Sequence, residues 1–124
     1  MGWPPQVGDP LPRAADAWCV HEKWVDWILA ADGHGPEWAK VLQVEPDEWE
    51  LAWQALKGAV LEAAIRTVRS LDAGGVTCSV RVELTIGERT APVVSAWHYS
   101  EPGAAPPLVT AYPTAYNRVH GSNS

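Results

Sequence analysis

From Val76 to Ile86 the chain alternates without exception. Val76, Cys78, Val80, Val82, Leu84 and Ile86 are apolar, and Thr77, Ser79, Arg81, Glu83 and Thr85 between them are polar. A period of two sends successive side chains to opposite faces, so these eleven residues predict a strand with one face buried. Gly87-Glu88-Arg89-Thr90 is a turn-sized polar insert, and the apolar run from Ala91 to Tyr99 should return beside the first strand as a hairpin. Pro92 suits an edge or a bulge. After a Gly/Pro-containing loop from Ser100 to Pro107, Leu108 to Tyr112 predicts a third strand that Pro113 ends.

Ahead of this region the period is that of a helix. Trp49, Trp53, Leu56, Val60, Ala64, Val68 and Leu71 recur at intervals of three and four, which predicts a long amphipathic helix, with Gly58 as a point where it can bend. An acidic first turn, with Arg66 and Arg69 near the far end, suits the helix dipole. Trp24 and Ile28 fall on one face of an expected helix from about Ala14 to Ala31. Pro36 suits the first position of a short helix from Glu37 to about Gln43. Helices first and an antiparallel meander of three or four strands afterwards make an α+β domain, with the N-terminal helices on one face of the C-terminal sheet. The expected division is an extended or poorly ordered lead-in over 1–13, one domain over 14–116, and a flexible tail over 117–124.

Composition narrows the function classes. A chain of 124 residues with 47% apolar residues supports one modest core, and no stretch of eighteen apolar residues is present to cross a bilayer. No basic region followed by an apolar stretch marks the N-terminus, so a cytoplasmic protein is expected, or a domain delivered to a target cell's cytoplasm within a larger protein. Cys19 and Cys78 read as buried free thiols. They have no CxxC partner, and the four histidines have no metal-binding spacing, so neither a metal nor any other cofactor is expected. Eight tryptophans and no phenylalanine suggest Trp in the bulky core positions. The net charge of −6 disfavours nonspecific attraction to a polyanion. Up to Leu71 there are eleven acidic against six basic residues, and from Asp72 onward four against three. The sheet half is therefore nearly neutral, and Lys23, Arg81 and Arg89 are the residues from which a basic patch could form.

His98, Thr110 and Tyr112 are the side chains with chemistry to offer on the last two strands. Each can hydrogen-bond or handle a proton, and adjacent antiparallel strands bring such positions close together. The histidine also titrates near neutrality in its unperturbed state. Plainer roles stand beside these: a solvent-facing strand histidine, a β-forming threonine, and a tyrosine at the edge of the core with its hydroxyl outside.

Three segments resemble a known group of small bacterial domains. Glu22-Lys23-Trp24 with Trp27-Ile28-Leu29, Val93-Val94-Ser95-Ala96-Trp97, and Pro107-Leu108-Val109-Thr110-Ala111-Tyr112-Pro113 are similar to segments of the barnase/EndoU/colicin/RelE-like superfamily. Many members of that superfamily are ribonuclease toxins. The resemblance implies metal-independent cleavage of RNA, with tRNA as one candidate substrate, through a 2′,3′-cyclic phosphate, with an inhibitor or immunity protein as partner. It further implies catalytic roles for His98, Thr110 and Lys23, and substrate contacts from Tyr112, Arg89 and Arg81. On an otherwise acidic helix, a lysine such as Lys23 is more often a solvated partner of Glu22 or Asp26 than a catalytic cation. The alternatives are a non-catalytic protein-interaction module on the same fold, or a small-molecule pocket between the long helix and the sheet.

Overall fold

The computed structural model describes residues 3–114. The chain is an α+β domain, in which helical segments precede a four-stranded antiparallel sheet of strand order β1-β2-β3-β4. Strands β1 (Ile65–Ser70), β2 (Val76–Ile86), β3 (Arg89–Tyr99) and β4 (Leu108–Pro113) form a simple meander. The helical part comprises α1 (His21–Lys23), continued by a π-helical segment Trp24–Ile28, then α2 (Gly35–Glu37), continued by a π-helical segment Trp38–Leu42. A 3-10 turn, Pro46–Glu48, leads into α3 (Trp49–Val60). Its capping box uses both side chains of Glu45 and Glu48, and the backbone N–H of Glu45 donates to Glu48 Oε1 at 3.1 Å.

The long helix expected to reach Leu71 stops at Val60, and Ile65–Ser70 is the edge strand β1 instead. The misleading signal has a physical cause. A bulge between Ile65 and Thr67 inserts one extra residue, so Ile65 and Val68, three apart in sequence, both join the core. Three-residue apolar spacing is what a helix shows, and a bulged strand imitates it. The β-branched Ile65, Thr67 and Val68 favour the extended form. A second departure lies near the start. Of the helix expected over Ala14 to Ala31, only a 3-10 turn at Ala14–Asp16 and the helix from His21 form. Between them Trp18 is extended, its N–H donating to Pro106 O at 3.1 Å and its carbonyl accepting from Leu108 N–H at 2.9 Å.

Those bonds also cap an edge. Trp18 makes a parallel bridge with Pro107, and farther along β4 the Trp38 indole N–H donates to Ala111 O at 2.9 Å. On the other side of the sheet Gly8 N–H donates to Ile65 O, and Ile65 N–H donates to Asp9 O, each at 2.8 Å. Both edges thus have part of their free backbone groups satisfied. The lead-in is tied to the domain as well, since Leu11 is buried and the Tyr99 hydroxyl donates to Pro12 O at 2.6 Å. Pro92 fits inside a paired strand because its backbone faces the end of β4, where its carbonyl accepts from Thr114 N–H. The expected tail beyond Tyr116 lies outside the described residues.

The core lies between the helices and one sheet face. Trp24 packs against Trp38 with ring centroids 5.8 Å apart and against Trp53 at 6.2 Å, while Trp53 lies 6.1 Å from Trp97 of β3. Four tryptophans therefore run as one chain of contacts through the two π-helical segments, α3 and the sheet, filling positions that Phe would otherwise occupy.

Candidate functional site: the outer face of the sheet

The register of the strands decides which side chains share the face turned away from the tryptophan core. Trp97, Ala111 and Val80 are fully buried, so the intervening positions face outward. Cross-strand pairing arranges these outward residues in rows. One row is Arg69, Thr77 and His98; the next is Thr67, Ser79, Ala96 and Thr110; the third is Arg81, Val94 and Tyr112. His98, Thr110, Tyr112 and Arg81 therefore stand on a single face, on three strands. Thr110 is two residues from Tyr112, about 7 Å along the strand, whereas a register shift between Ala96 and Trp97 sets His98 beside Pro107, whose carbonyl accepts from His98 N–H at 3.2 Å.

Small residues occupy the middle of this face. The Thr67 and Ser79 hydroxyls are paired at 2.5 Å, and Ala96 separates Ser79 from Thr110. Arg69 and Arg81 are exposed there, and Glu83 is the carboxylate among the outward strand positions. Gly75 packs closely against His98. A Cβ at Gly75 would stand 3.1 Å from His98 Cε1 and 2.7 Å from Tyr99 O, so the absence of a side chain lets the imidazole lie against the backbone.

Lys23 stands at the end of this face. It lines an open cleft of about 360 Å³ together with Trp18, Cys19, Val20, His98, Pro107, Leu108 and Val109. Two residues 75 positions apart, Lys23 and His98, thus border one space. Arg89 does not join them. It begins β3 at the far end of the same strand, about 30 Å from His98 by strand rise, and lines a different cleft with Gln43, Glu48 and Glu88. Its carboxylate neighbours there oppose the binding of an anion.

Two features of the site had no signal in a single sequence. Cys19 shares the Lys23–His98 cleft, but its thiol is pushed up to about 11 by burial, with Lys23 and a backbone hydrogen bond pulling the other way. It stays protonated at neutral pH and is not an activated nucleophile. His34 stacks on Tyr112 with ring centroids 4.7 Å apart and an interplanar angle of 26°, and its Nδ1 lies 3.2 Å from Glu37 Oε2. Seventy-eight residues separate His34 from Tyr112, and nothing in the spacing foretells the contact.

The arrangement supplies an imidazole, two hydroxyls and flanking cations on an open surface. Among the described residues no group of three His, Cys, Asp or Glu side chains is gathered to hold a metal, and no helix is long and apolar enough to cross a membrane. No family model matches the chain, and no curated protein or solved structure matches it.

Proposed function

We propose that this domain is a metal-independent endoribonuclease that cleaves RNA on the outer face of its sheet. The observation that carries the reading is the shared face itself: His98, Thr110, Tyr112 and Arg81 arise on three strands and project to one side, with Lys23 at the rim. Transesterification removes the proton of a ribose 2′-hydroxyl, forms the bond from that oxygen to phosphorus, and breaks the bond from phosphorus to the 5′-oxygen, which takes up a proton. Few groups are needed: a proton acceptor, a proton donor, and cations or hydroxyls for the charge on the phosphate oxygens. His98 serves as acid or base. Thr110 and Tyr112 donate hydrogen bonds to the phosphate, and Lys23 and Arg81 supply charge. The reading extends to a bacterial toxin or toxin-derived domain that acts in a cytoplasm and is restrained by an inhibitor protein.

Charge distribution supports this face as the one that meets RNA. Residues 1–64 carry eleven acidic and four basic side chains, whereas residues 65–124 carry four acidic and five basic. The net charge of −6 therefore belongs to the helical half. A second reading, a non-catalytic protein-interaction module, is favoured by Trp27, which is 69% exposed on that acidic half.

The deciding experiment incubates the protein with total RNA and with tRNA in EDTA, beside a His98→Ala variant, and maps the new ends. Cleavage leaving 2′,3′-cyclic phosphate, reduced by about 10²-fold or more in the variant, is expected. Intact RNA at high protein concentration would transfer the assignment to the interaction module.

A further inference from the structure

Trp18 is anchored firmly, yet its side chain is left in the open. Its N–H donates to Pro106 O at 3.1 Å, its carbonyl accepts from Leu108 N–H at 2.9 Å, and its indole N–H donates to Ala105 O at 3.3 Å. A tryptophan held by three hydrogen bonds gains most by burying its large apolar surface, as Trp24, Trp38 and Trp97 do. Trp18 instead stays 48% exposed. Val20 and Val109, also exposed, stand with it on the wall of the cleft that Lys23 and His98 line. Exposed apolar side chains gathered around one concavity, beside a cation, mark a place where a ligand is bound.

The chemistry of the cleft narrows that ligand. Lys23 makes no ion pair among the described residues, and its ammonium is close enough to pull on the Cys19 thiol, so an uncompensated positive charge borders the space. An anion is expected toward Lys23 and His98, and a flat apolar group against Trp18. A nucleotide joins the two in one unit. At about 360 Å³ the cleft lies at the small end of ligand sites, with room for one nucleotide and none for a duplex. Backbone groups that could read the edge of a base are already engaged: Leu108 N–H and the Trp18 carbonyl bond each other, and the Pro107 carbonyl accepts from His98 N–H. No side-chain amide or carboxylate lines the cleft among the described residues. Such a site holds a base by its face and not by its edge.

We propose, on the ribonuclease reading above, that this cleft is the base subsite for the substrate, in which Trp18 stacks an unpaired nucleobase of single-stranded RNA whose phosphate lies toward Lys23 and His98. Every base has a face to stack, so the subsite selects single strands over duplexes and accepts purines and pyrimidines alike. Trp18 touches the base and none of the reacting atoms. It determines specificity and is not a catalytic residue.

The test uses a fluorescently labelled 2′-O-methyl tetranucleotide, which has no free 2′-hydroxyl to attack and so is bound without being cut. Its Kd is measured by anisotropy for wild type, Trp18→Leu and Trp18→Tyr, with thermal melts to establish that each is folded, and again with an abasic strand of the same length. Trp18→Leu is expected to weaken binding of the base-carrying strand by about 5- to 150-fold, Trp18→Tyr to weaken it far less, and neither to change the Kd of the abasic strand. In wild type the Trp18 indole N–H resonance should move further with the base-carrying strand than with the abasic one, a readout that needs no variant to fold. An equal loss on both strands would show that Trp18 only holds the loop, and would overturn the assignment, as would undiminished affinity in folded Trp18→Leu or an unmoved indole resonance. Cleavage of RNA by wild type would in those cases leave the ribonuclease reading standing. Wild type that leaves RNA intact would overturn both.

Discussion

Polar side chains on the two sheet faces do different work, and single substitutions separate them. Ser95 is fully buried, and its Oγ accepts from the Trp97 indole N–H at 2.9 Å. Replacing it with Ala leaves that N–H inside the core without a partner, at a cost of about 1–3 kcal/mol. Trp24 Nε1 is already a buried donor without a partner, so the core has no spare acceptor to offer. Ser95→Ala is therefore expected to lower the urea midpoint clearly, with the m-value unchanged. His98, next to the buried Trp97 and on the opposite face, has no side-chain hydrogen bond among the described residues to lose in His98→Ala. The variant's stability is expected to stay within about 0.5 kcal/mol of wild type in the same titration. Alternation alone puts Ser95 with Val93 and Trp97 and sets His98 opposite them, so this contrast was legible in the sequence. The partner of the serine was not, because a bond between residues i and i+2 on one face depends on which rotamer the indole adopts.

Among the elements, the regular ones were legible and the irregular ones were not. The eleven-residue alternation of β2 matches its observed bounds, Val76–Ile86, because a strand buried on one face imposes its period on every residue. β1 was hidden by its bulge, and Trp18 was drawn into an expected helix although β4 holds it extended through backbone bonds that no side-chain pattern encodes. The Gly33–Gly35 loop is a further case. Two glycines around a histidine look like a helix end, but both are confined by backbone oxygens less than 2.5 Å from where a Cβ would stand. Gly35→Ala should force the Leu29 and Ala30 carbonyls apart, break the bonds that fix His34, and cost more than the ~1 kcal/mol by which Gly and Ala differ in helix propensity. The reverse sign, a stabilised variant, would mean that the loop has slack and that the Leu29 and Ala30 carbonyls do not confine Gly35. Thermal melting settles the sign.

At the scale of the whole molecule, a net charge summed over the chain concealed its polarity. Arg66 and Arg69 were counted with the helices when they belong to β1; over 65–114 four basic side chains balance four acidic ones, and the negative charge belongs to the helical half. A second global property follows from what the core encloses. Burial pushes the thiols of Cys19 and Cys78 up to about 11, and burial together with nearby Cys78 pushes the Tyr99 hydroxyl upward too. All three acids are thus harder to ionise in the folded state than in the unfolded chain, where the thiols titrate near 9. Above that pH the unfolded state holds fewer protons than the folded one, so stability falls as pH rises, and it stops falling on account of the thiols once the folded groups ionise near 11. The protection is complete below about pH 9. For Cys78, which is fully buried, the loss amounts to roughly 1.4 kcal/mol per pH unit across that window. Melting temperatures measured from pH 8 to pH 11 should accordingly drop ever more steeply above 9, and Cys78→Ala, though less stable at pH 8, should show a shallower drop. A Cys78→Ala curve parallel to wild type would show that the thiol remains free to ionise inside the sheet, and that its contact with the tryptophan core is looser than the packing around Trp97 and Tyr99 implies.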